Sequence, residues 1–451
     1  MSRFALSFML AVSLVVLCAQ ADIVAAESQA STPFATAKAY VSEFYPLFLS
    51  HLQLQLGTTN RLVGPIRISP VYHIVVAIND DTLYASMFVN VTAQPMIVTI
   101  PRTQVIYSIL TQDPYGDIFE TGIAAGTPGT YALTGPGWTG TLPVGVTPVP
   151  VPFNFFSLIF RADKFSPKGV NETAAAKLFR ATLKAQPLSD YITNPTAGNT
   201  TILPELAFSA PVKTFTDDLV TSRPIVFLKQ LQAAVASSNT PPLSESQALL
   251  STRFNLMFSN TALRPQLAAG AQAAHTSIVN GYQASTGPNN WINFQNIGAW
   301  GTNSLERSEI AEYIQYGNGR RTAAYYQTFK DVNGDPLDGS NPQGYVLTFP
   351  AGQQPATARF WSLTAYTPDS IELINNPANK YVVGSYTPGL VTNPNGSVSI
   401  YIAPQLPAGA PKANWLPVST EPFNIMLRDY GSEGTVLAGT YLPPAIVPAG
   451  S

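Results

Sequence analysis

Two short stretches bring carboxylates, amides and phenols together: Asn79-Asp80-Asp81-Thr82-Leu83-Tyr84 and Gln112-Asp113-Pro114-Tyr115-Gly116-Asp117. A pair of carboxyl groups facing one cleft supplies a general acid and a general base, and their separation sets the catalytic mode they serve. Asp80, Asp81, Asp113 and Asp117 are therefore the candidate catalytic residues, and Asn79, Tyr84, Tyr115 and Arg161 would bind a ligand or steady charge beside them. The competing reading is local: Asp and Asn at strand ends hydrogen-bond their own turns, and the tyrosines pack. Arg161 closes the apolar run Phe155 to Phe160, either as a buried partner of one of the aspartates or as a solvated strand end.

Further along, Arg359-Phe360-Trp361, Tyr366, Asn375-Asn376-Pro377, Asn414-Trp415-Leu416-Pro417 and Arg428-Asp429-Tyr430 stand out. Tyr366, Trp415 and Arg428 are ligand-binding candidates, because aromatic rings beside amides suit stacking against a sugar, with core packing as the alternative. Asp331, Asn333 and Asp335 alternate as in a calcium loop, but Pro336 stands where an EF-hand needs Gly and Pro342 where it needs Glu. What is left is a looser calcium site or a plain turn on Asn333-Gly334. His51, His73 and His275 lack metal-ligand spacing, so no metal and no cofactor is expected, and each His reads as structural. The glycine and serine motifs of nucleotide-binding loops and nucleophile elbows do not occur.

Positioning such residues is within reach of this chain. Its 451 residues predict about two or three domains with sizeable cores. Only 11% of residues are charged, while Pro 39 and Gly 31 supply many breaks, which suits a turn-rich β protein with a neutral polar surface. A net charge of -2 without basic runs excludes nucleic acid and anionic membrane surfaces as implied partners. Met1-Ser2-Arg3, the apolar stretch Phe4 to Leu17 and the triplet Ala19-Gln20-Ala21 have the layout of a secretory signal peptide over residues 1–21. The rival readings are an uncleaved anchor and a lipidated Cys18. Cys18 is the only cysteine, so cleavage leaves no thiol for a disulfide or metal site. A secreted protein is expected, periplasmic if the source is a Gram-negative bacterium. Asn90, Asn171, Asn199 and Asn395 head acceptor sequons that a eukaryotic host would glycosylate.

The spacing Phe34, Ala37, Val41, Phe44, Phe48, Leu52 predicts a first helix capped by Ser31 or Thr32. Short β-branched and aromatic runs follow, at Tyr72 to Ile78, Leu83 to Val89, Met96 to Ile100, Val105 to Leu110, Tyr131 to Leu133 and Phe155 to Phe160. Residues 22–170 are thus an N-terminal β domain with a leading helix. Residues 171–330 read as a helical connector, with capping signals at Asn171, Ser244 with Gln247, and Asn303 with Glu306, and helices opening at Arg223-Pro224 and Arg264-Pro265. Residues 331–451 form a C-terminal β domain whose strands include Gly344 to Phe349, Arg359 to Tyr366, Tyr381 to Val383, Val398 to Ile402, Phe423 to Tyr430 and Val436 to Tyr441, with a hairpin signal at Asn395-Gly396. The expected fold class is mainly β with α: two antiparallel β-sandwich or jelly-roll-like domains joined by a helical segment.

Asn79 to Tyr84 together with Gly129-Thr130-Tyr131 and Gly135-Pro136-Gly137-Trp138-Thr139-Gly140 resembles the N-terminal half of a two-domain family, domain of unknown function 1254. Phe360-Trp361-Ser362-Leu363-Thr364, Tyr366, Asn376-Pro377, Asn395-Gly396-Ser397, Asn414 to Pro417, Arg428 with Tyr430, and Pro443-Pro444 are similar to its habitual partner, domain of unknown function 1214. The chain departs from the pattern at Val105-Ile106-Tyr107, where members usually carry Arg-Tyr-Tyr. The resemblance implies two β domains with helices between them and no established activity. Function is then open between three readings. The first is an exported protein binding a carbohydrate or other small molecule between its β domains; the others are a secreted hydrolase or lyase using the Asp pair, and an extracellular structural protein. A homo-oligomer is compatible with each.

Overall fold

The computed structural model describes residues 32–55, 59–204 and 210–450. The signal-peptide and Cys18 readings fall outside the described residues. The first helix, α1 (Pro33–Leu54), is capped as expected: Thr32 Oγ1 accepts from the Ala35 N–H, and Pro33 sits in the first turn where its missing N–H costs nothing. Its Tyr40, Val41, Phe44, Tyr45 and Phe48 are fully buried.

Then come β1 (Val63–Pro65), β2 (Thr82–Asn90), β3 (Met96–Ile100), β4 (Tyr107–Gln112), β5 (Gly129–Thr134), β6 (Thr147–Pro150), β7 (Phe155–Asp163), α2 (Thr173–Thr182), β8 (Lys184–Pro187), α3 (Leu188–Thr193) and β9 (Thr201–Leu203). They form two sheets, β4-β7-β2-β1-β9 and β6-β5-β3-β8, antiparallel except where β9 meets β1 and β6 meets β5. Strand alternation sends Leu83, Ala85, Met87 and Val89 of β2 into the core between these sheets, with Val98, Leu133, Phe156 and Phe160 opposite or beside them. It sends Tyr84, Ser86 and Phe88 to the outer face.

Five helices follow: α4 (Val212–Ser222), α5 (Pro224–Val235), α6 (Glu245–Ser259), α7 (Arg264–Ala284) and α8 (Ser304–Tyr313). Ser244 and Gln247 form the capping box, and Asn303 Oδ1 accepts from the Glu306 N–H. The third block is β10 (Ala323–Thr328), β11 (Tyr345–Phe349), β12 (Thr357–Tyr366), β13 (Val382–Gly384), β14 (Val398–Ala403), β15 (Trp415–Pro417), β16 (Asn424–Ser432), α9 (Gly434–Leu437) and β17 (Ile446–Pro448). Its sheets are β10-β16-β12-β13 and β15-β14-β11-β17, around a core containing Leu347, Trp361, Leu363, Ile400 and Leu427. The fold is mixed α and β, with antiparallel-rich sheets at both ends of the chain. No helix among the described residues is long and apolar enough to cross a membrane.

Three expectations change. Strands β8 and β9 join the N-terminal sheets and β10 the C-terminal one, so the helices that form the connecting layer run only from Val212 to Tyr313. Val436 to Tyr441 is not a strand; it begins in α9 and continues without regular structure. Tyr72 to Ile78 is also not a strand. This apolar run is turn-rich and buries its side chains between the outer face of the first sheet, the helices and the C-terminal block, so burial without a ladder replaces sheet pairing. A third hydrophobic core unites all of these: α1, the helical layer, the 72–78 segment, Tyr84 and Ile159 from one outer sheet face, and Tyr325, Tyr366, Met426 and Tyr430 from the other.

Candidate functional site

The 72–78 segment roofs a cavity of about 120 Å³ at the junction of the three blocks. Part of its wall is aliphatic, with Val63, Ile74, Val75, Val76, Ile78 and Ile159, and Tyr72, Tyr316, Ser86 and Ser157 line it beside them. Polar groups enter from each block: Asn79, Tyr84 and Arg161 from the N-terminal sheets, Gln53 from α1, and Tyr325 and Arg428 from the C-terminal sheet. A mostly apolar recess with a few convergent polar groups has the composition of a small-molecule site.

The roof is anchored on both sides. Gln53 Nε2 donates to Ile74 O at 2.7 Å, Tyr366 Oη donates to Ile78 O at 2.7 Å, and the Ala77 N–H donates to Ile371 O at 2.9 Å. His73 Nδ1 and Glu372 Oε1 are in close hydrogen-bond contact. Ala77 (φ 50°) and Ile371 (φ 53°) both occupy the left-handed region. A β-branched residue is rarely found there, at a cost of about 1–3 kcal/mol, and such strain persists only where surroundings impose it.

Two guanidinium groups face the cavity. Arg161 Nη1 donates to Asn318 Oδ1 at 2.9 Å and Nη2 to Tyr316 O at 2.8 Å, with the Tyr84 ring 5.5 Å from its Cζ. Arg428 Nη2 donates to Ala77 O, its Cζ lies 5.4 Å from the Tyr366 ring, and its Nη1 has no hydrogen-bond partner. Arg428 is 2% exposed. Burial works against its charge, but Tyr366, Tyr430 and Asp81 outweigh that, so it is held protonated more firmly than usual. Among the described residues neither arginine lies within ion-pair distance of a carboxylate.

Asp81 is spent on joining the two β blocks. Its Oδ2 accepts from Ser362 Oγ at 2.9 Å and its Oδ1 from Tyr386 Oη. Burial pushes its carboxyl pKa up, opposed by the Tyr386 hydrogen bond and the charge of Arg428. Asn79 caps the start of β2 through Oδ1, which accepts from the Asp81 and Thr82 N–H groups, and its Nδ2 donates to Tyr430 Oη. The buried ion pair Asp163–Arg359 and the Asp80–Lys164 pair at 2.6 Å lie nearby on β7 and its loop.

Comparison with known proteins now bears on this arrangement. Residues 59–187 match the family described as Protein of unknown function (DUF1254), and residues 322–434 the one described as Protein of unknown function (DUF1214). The chain belongs to the two-domain family that pairs them. A crystal structure of a protein from Vibrio parahaemolyticus is similar at a TM-score of 0.60 and 20% identity, covering 92% of this chain and 99% of that one, and so shares the fold. One of an uncharacterized protein from Burkholderia cenocepacia reaches 0.42 and 14%, over 90% and 86% of the two chains. No curated protein matches.

In family terms, the DUF1254 half supplies Tyr72, Ile74 to Asn79, Tyr84 and Arg161 to the cavity, and the DUF1214 half supplies Tyr325 and Arg428. Of the residues singled out in the sequence, Asn79, Tyr84, Arg161 and Arg428 converge there, and Tyr366 packs against Arg428. The four aspartates do not. Asp80 and Asp81 sit behind the wall in the contacts just given. Asp113 Oδ1 accepts from the Tyr115 and Asp117 N–H groups at 2.9 Å, the local turn bonding foreseen as the alternative. Burial and then the charge of Asp117 push the Asp113 carboxyl up to about 7. Tyr115 packs under Arg307 at 4.7 Å, in a smaller crevice beside α1 and α8. Trp415 lies at a sheet edge, its Nε1 donating to Ala403 O at 2.8 Å, so it offers no sugar platform in the cavity. Asp331 Oδ1 accepts from the Asn333 and Asp335 N–H groups, building the plain turn with Gly334 at φ 87°. Asn171, Asn199 and Asn395 are exposed, and Asn90 is half-buried with its Nδ2 donating to Asn239.

One cluster had no sequence reading. Between α1, α4, α7 and α8, Lys213 Nζ lies 2.8 Å from Asp217 Oδ2 and 2.7 Å from Glu312 Oε1, His275 Nε2 lies 2.9 Å from Asp217 Oδ1, and Tyr45 Oη donates to Glu312 Oε2. Ligand atoms of Asp217, His275 and Glu312 lie within 4.8 Å of one another, a spacing a cation would use. The Lys213 ammonium already fills that role. The i, i+4 pair Lys213–Asp217 was visible in the sequence, but its partners come from two other helices.

Proposed function

We propose that this protein binds a small, largely apolar molecule in the cavity between its two β blocks, acting outside the cell after export by the N-terminal leader. The observation that carries the reading is the recess itself, roofed by a strained apolar segment and receiving polar groups from both family halves. We read each pair of packed sheets as a sandwich-type domain, with the outer faces of both turned toward the ligand. The aliphatic part of the wall, where a sugar hydroxyl would have no partner, offers its surface to an apolar body.

Ser86 projects from β2 into the cavity, so Ser86→Phe fills the space with little change at the surface. Thermal denaturation with a panel of apolar acids, alcohols and amides is expected to show stabilisation of the wild type, worth about 2.7 kcal/mol at a hundredfold excess over Kd. Ser86→Phe is expected to lose it. Shifts of equal size in the variant, or none in the wild type across the panel, would overturn the reading.

A further inference from the structure

We propose that the cavity selects ligands that carry a carboxylate head on a compact apolar body, with Arg428 as the group that binds the head. This deepens the reading above and rests on it.

Charge balance is the first argument. An unpaired ion withdrawn from water is costly, several kcal/mol even after relaxation. Elsewhere in this molecule Lys213 has Glu312 and Asp217, Arg359 has Asp163, and Arg307 has Glu43, while the buried Arg180 donates to the neutral Pro65 O with no carboxylate in ion-pair distance among the described residues. At the cavity Arg161 and Arg428 meet only neutral oxygens and ring faces. The Asp81 carboxylate accepts hydrogen bonds from Ser362 and Tyr386 and offsets part of the Arg428 charge without touching it, and Arg161 has no carboxylate in ion-pair distance among the described residues. One negative charge placed in the cavity would offset the excess.

Geometry is the second. Arg428 Nη1 is buried and without a partner on a side chain that lines the recess. Tyr325 Oη accepts from both the N–H and Nδ2 of Asn318, and its own hydrogen has no acceptor among the described residues. Arg428 Nη1 has no partner but is covered in this structure, so one carboxylate would take the Tyr325 phenol O–H directly and the guanidinium N–H once that group turns toward the recess. Asn318 also receives Arg161 Nη1, so the second arginine is tied into the same polar group without contacting the head. Ile74, Val75, Val76 and Ile159 give the recess hydrocarbon surface for the body of the ligand. A volume of about 120 Å³ holds several water-sized groups, which suits a short-chain or single-ring acid better than a long lipid.

Calorimetric titration of the full chain with benzoate and hexanoate, each against its neutral amide, tests this directly. The wild type is expected to bind the acids roughly 10- to 100-fold more tightly than the amides, the span of a charge-assisted hydrogen bond, and Ser86→Phe to bind neither. Arg428→Met is expected to remove the preference while keeping residual amide binding; because the ligand pairs on the wild type carry the result, misfolding of that variant leaves the test intact. Amides binding as tightly as acids, both blocked by Ser86→Phe, would overturn the carboxylate assignment and leave cavity binding standing. Absence of binding by any of the four compounds, or binding that Ser86→Phe does not affect, would overturn both.

Discussion

The helical layer and the domain junction each bury cations, and they treat them in opposite ways. In the helical layer Lys213 sits between Asp217 and Glu312, with His275 and Tyr45 completing the contacts. Burial and its offset are both visible there: burial would lower the Lys213 pKa, and the two carboxylates raise it further than burial lowers it, while Asp217 is brought down to about 2 against burial by His275 and Lys213. That cluster is closed. At the junction Arg161 and Arg428 are held by carbonyls, an amide and aromatic rings, beside empty space. The contrast separates a charge network that stabilises helices from one arranged around something the chain itself does not provide.

The largest expected effect comes from breaking the closed cluster. Lys213→Met leaves Glu312 and Asp217 without their cation and is expected to cost about 3–5 kcal/mol in urea denaturation, with the affinity of the folded fraction for benzoate unchanged. Arg428→Met is expected to shift stability by only about 1 kcal/mol, because the lost bond to Ala77 O is offset by removal of a buried charge that Asp81 balances only from a distance. Equal costs for the two variants would erase the distinction.

A third expectation concerns pH. Burial raises Asp113, Glu309 and Asp429 to about 7 and Asp163 to about 6. Above an unfolded value near 4 the folded state holds these protons longer than the unfolded chain, so stability falls as pH rises from about 4 to about 7. Asp217 acts in the opposite sense, its contribution being lost only as pH drops below about 4 toward 2. Melting is expected about 5 °C higher at pH 5 than at pH 8; a flat or rising profile would contradict these shifts. The smallest effect is Asp113→Asn, which keeps an oxygen for the Tyr115 and Asp117 N–H groups and is expected to change stability by less than about 1 kcal/mol, flatten the profile slightly and leave ligand binding untouched.

Much of the scaffold was legible because it rests on local signals. Thr32 and Pro33, the Ser244–Gln247 box and Asn303 with Glu306 mark helix starts through bonds made within a turn, and β2, β3, β7, β12, β14 and β16 follow runs of β-branched and aromatic residues. The 72–78 roof reads as a strand for the same reason: an apolar run broken only by His73 looks alike whether it pairs in a sheet or is pinned by Gln53, Tyr366 and Ile371 from distant parts of the chain. Asn79, Tyr84 and Arg161 stand out near strand ends, and Arg428 as a charge within the apolar run of β16. That they share a cavity while the equally conspicuous Asp113, Asp117 and Trp415 do not depends on which face of which sheet meets its neighbour, and no spacing in the sequence encodes that.

A crystal structure of the protein grown with benzoate would place the ligand. The account expects its carboxylate within hydrogen-bond distance of Arg428 Nη1 and Tyr325 Oη, with the ring against Ile74, Val76 and Ile159. Benzoate bound elsewhere with this cavity holding only water, or seated with its carboxylate turned away from Arg428, would contradict it.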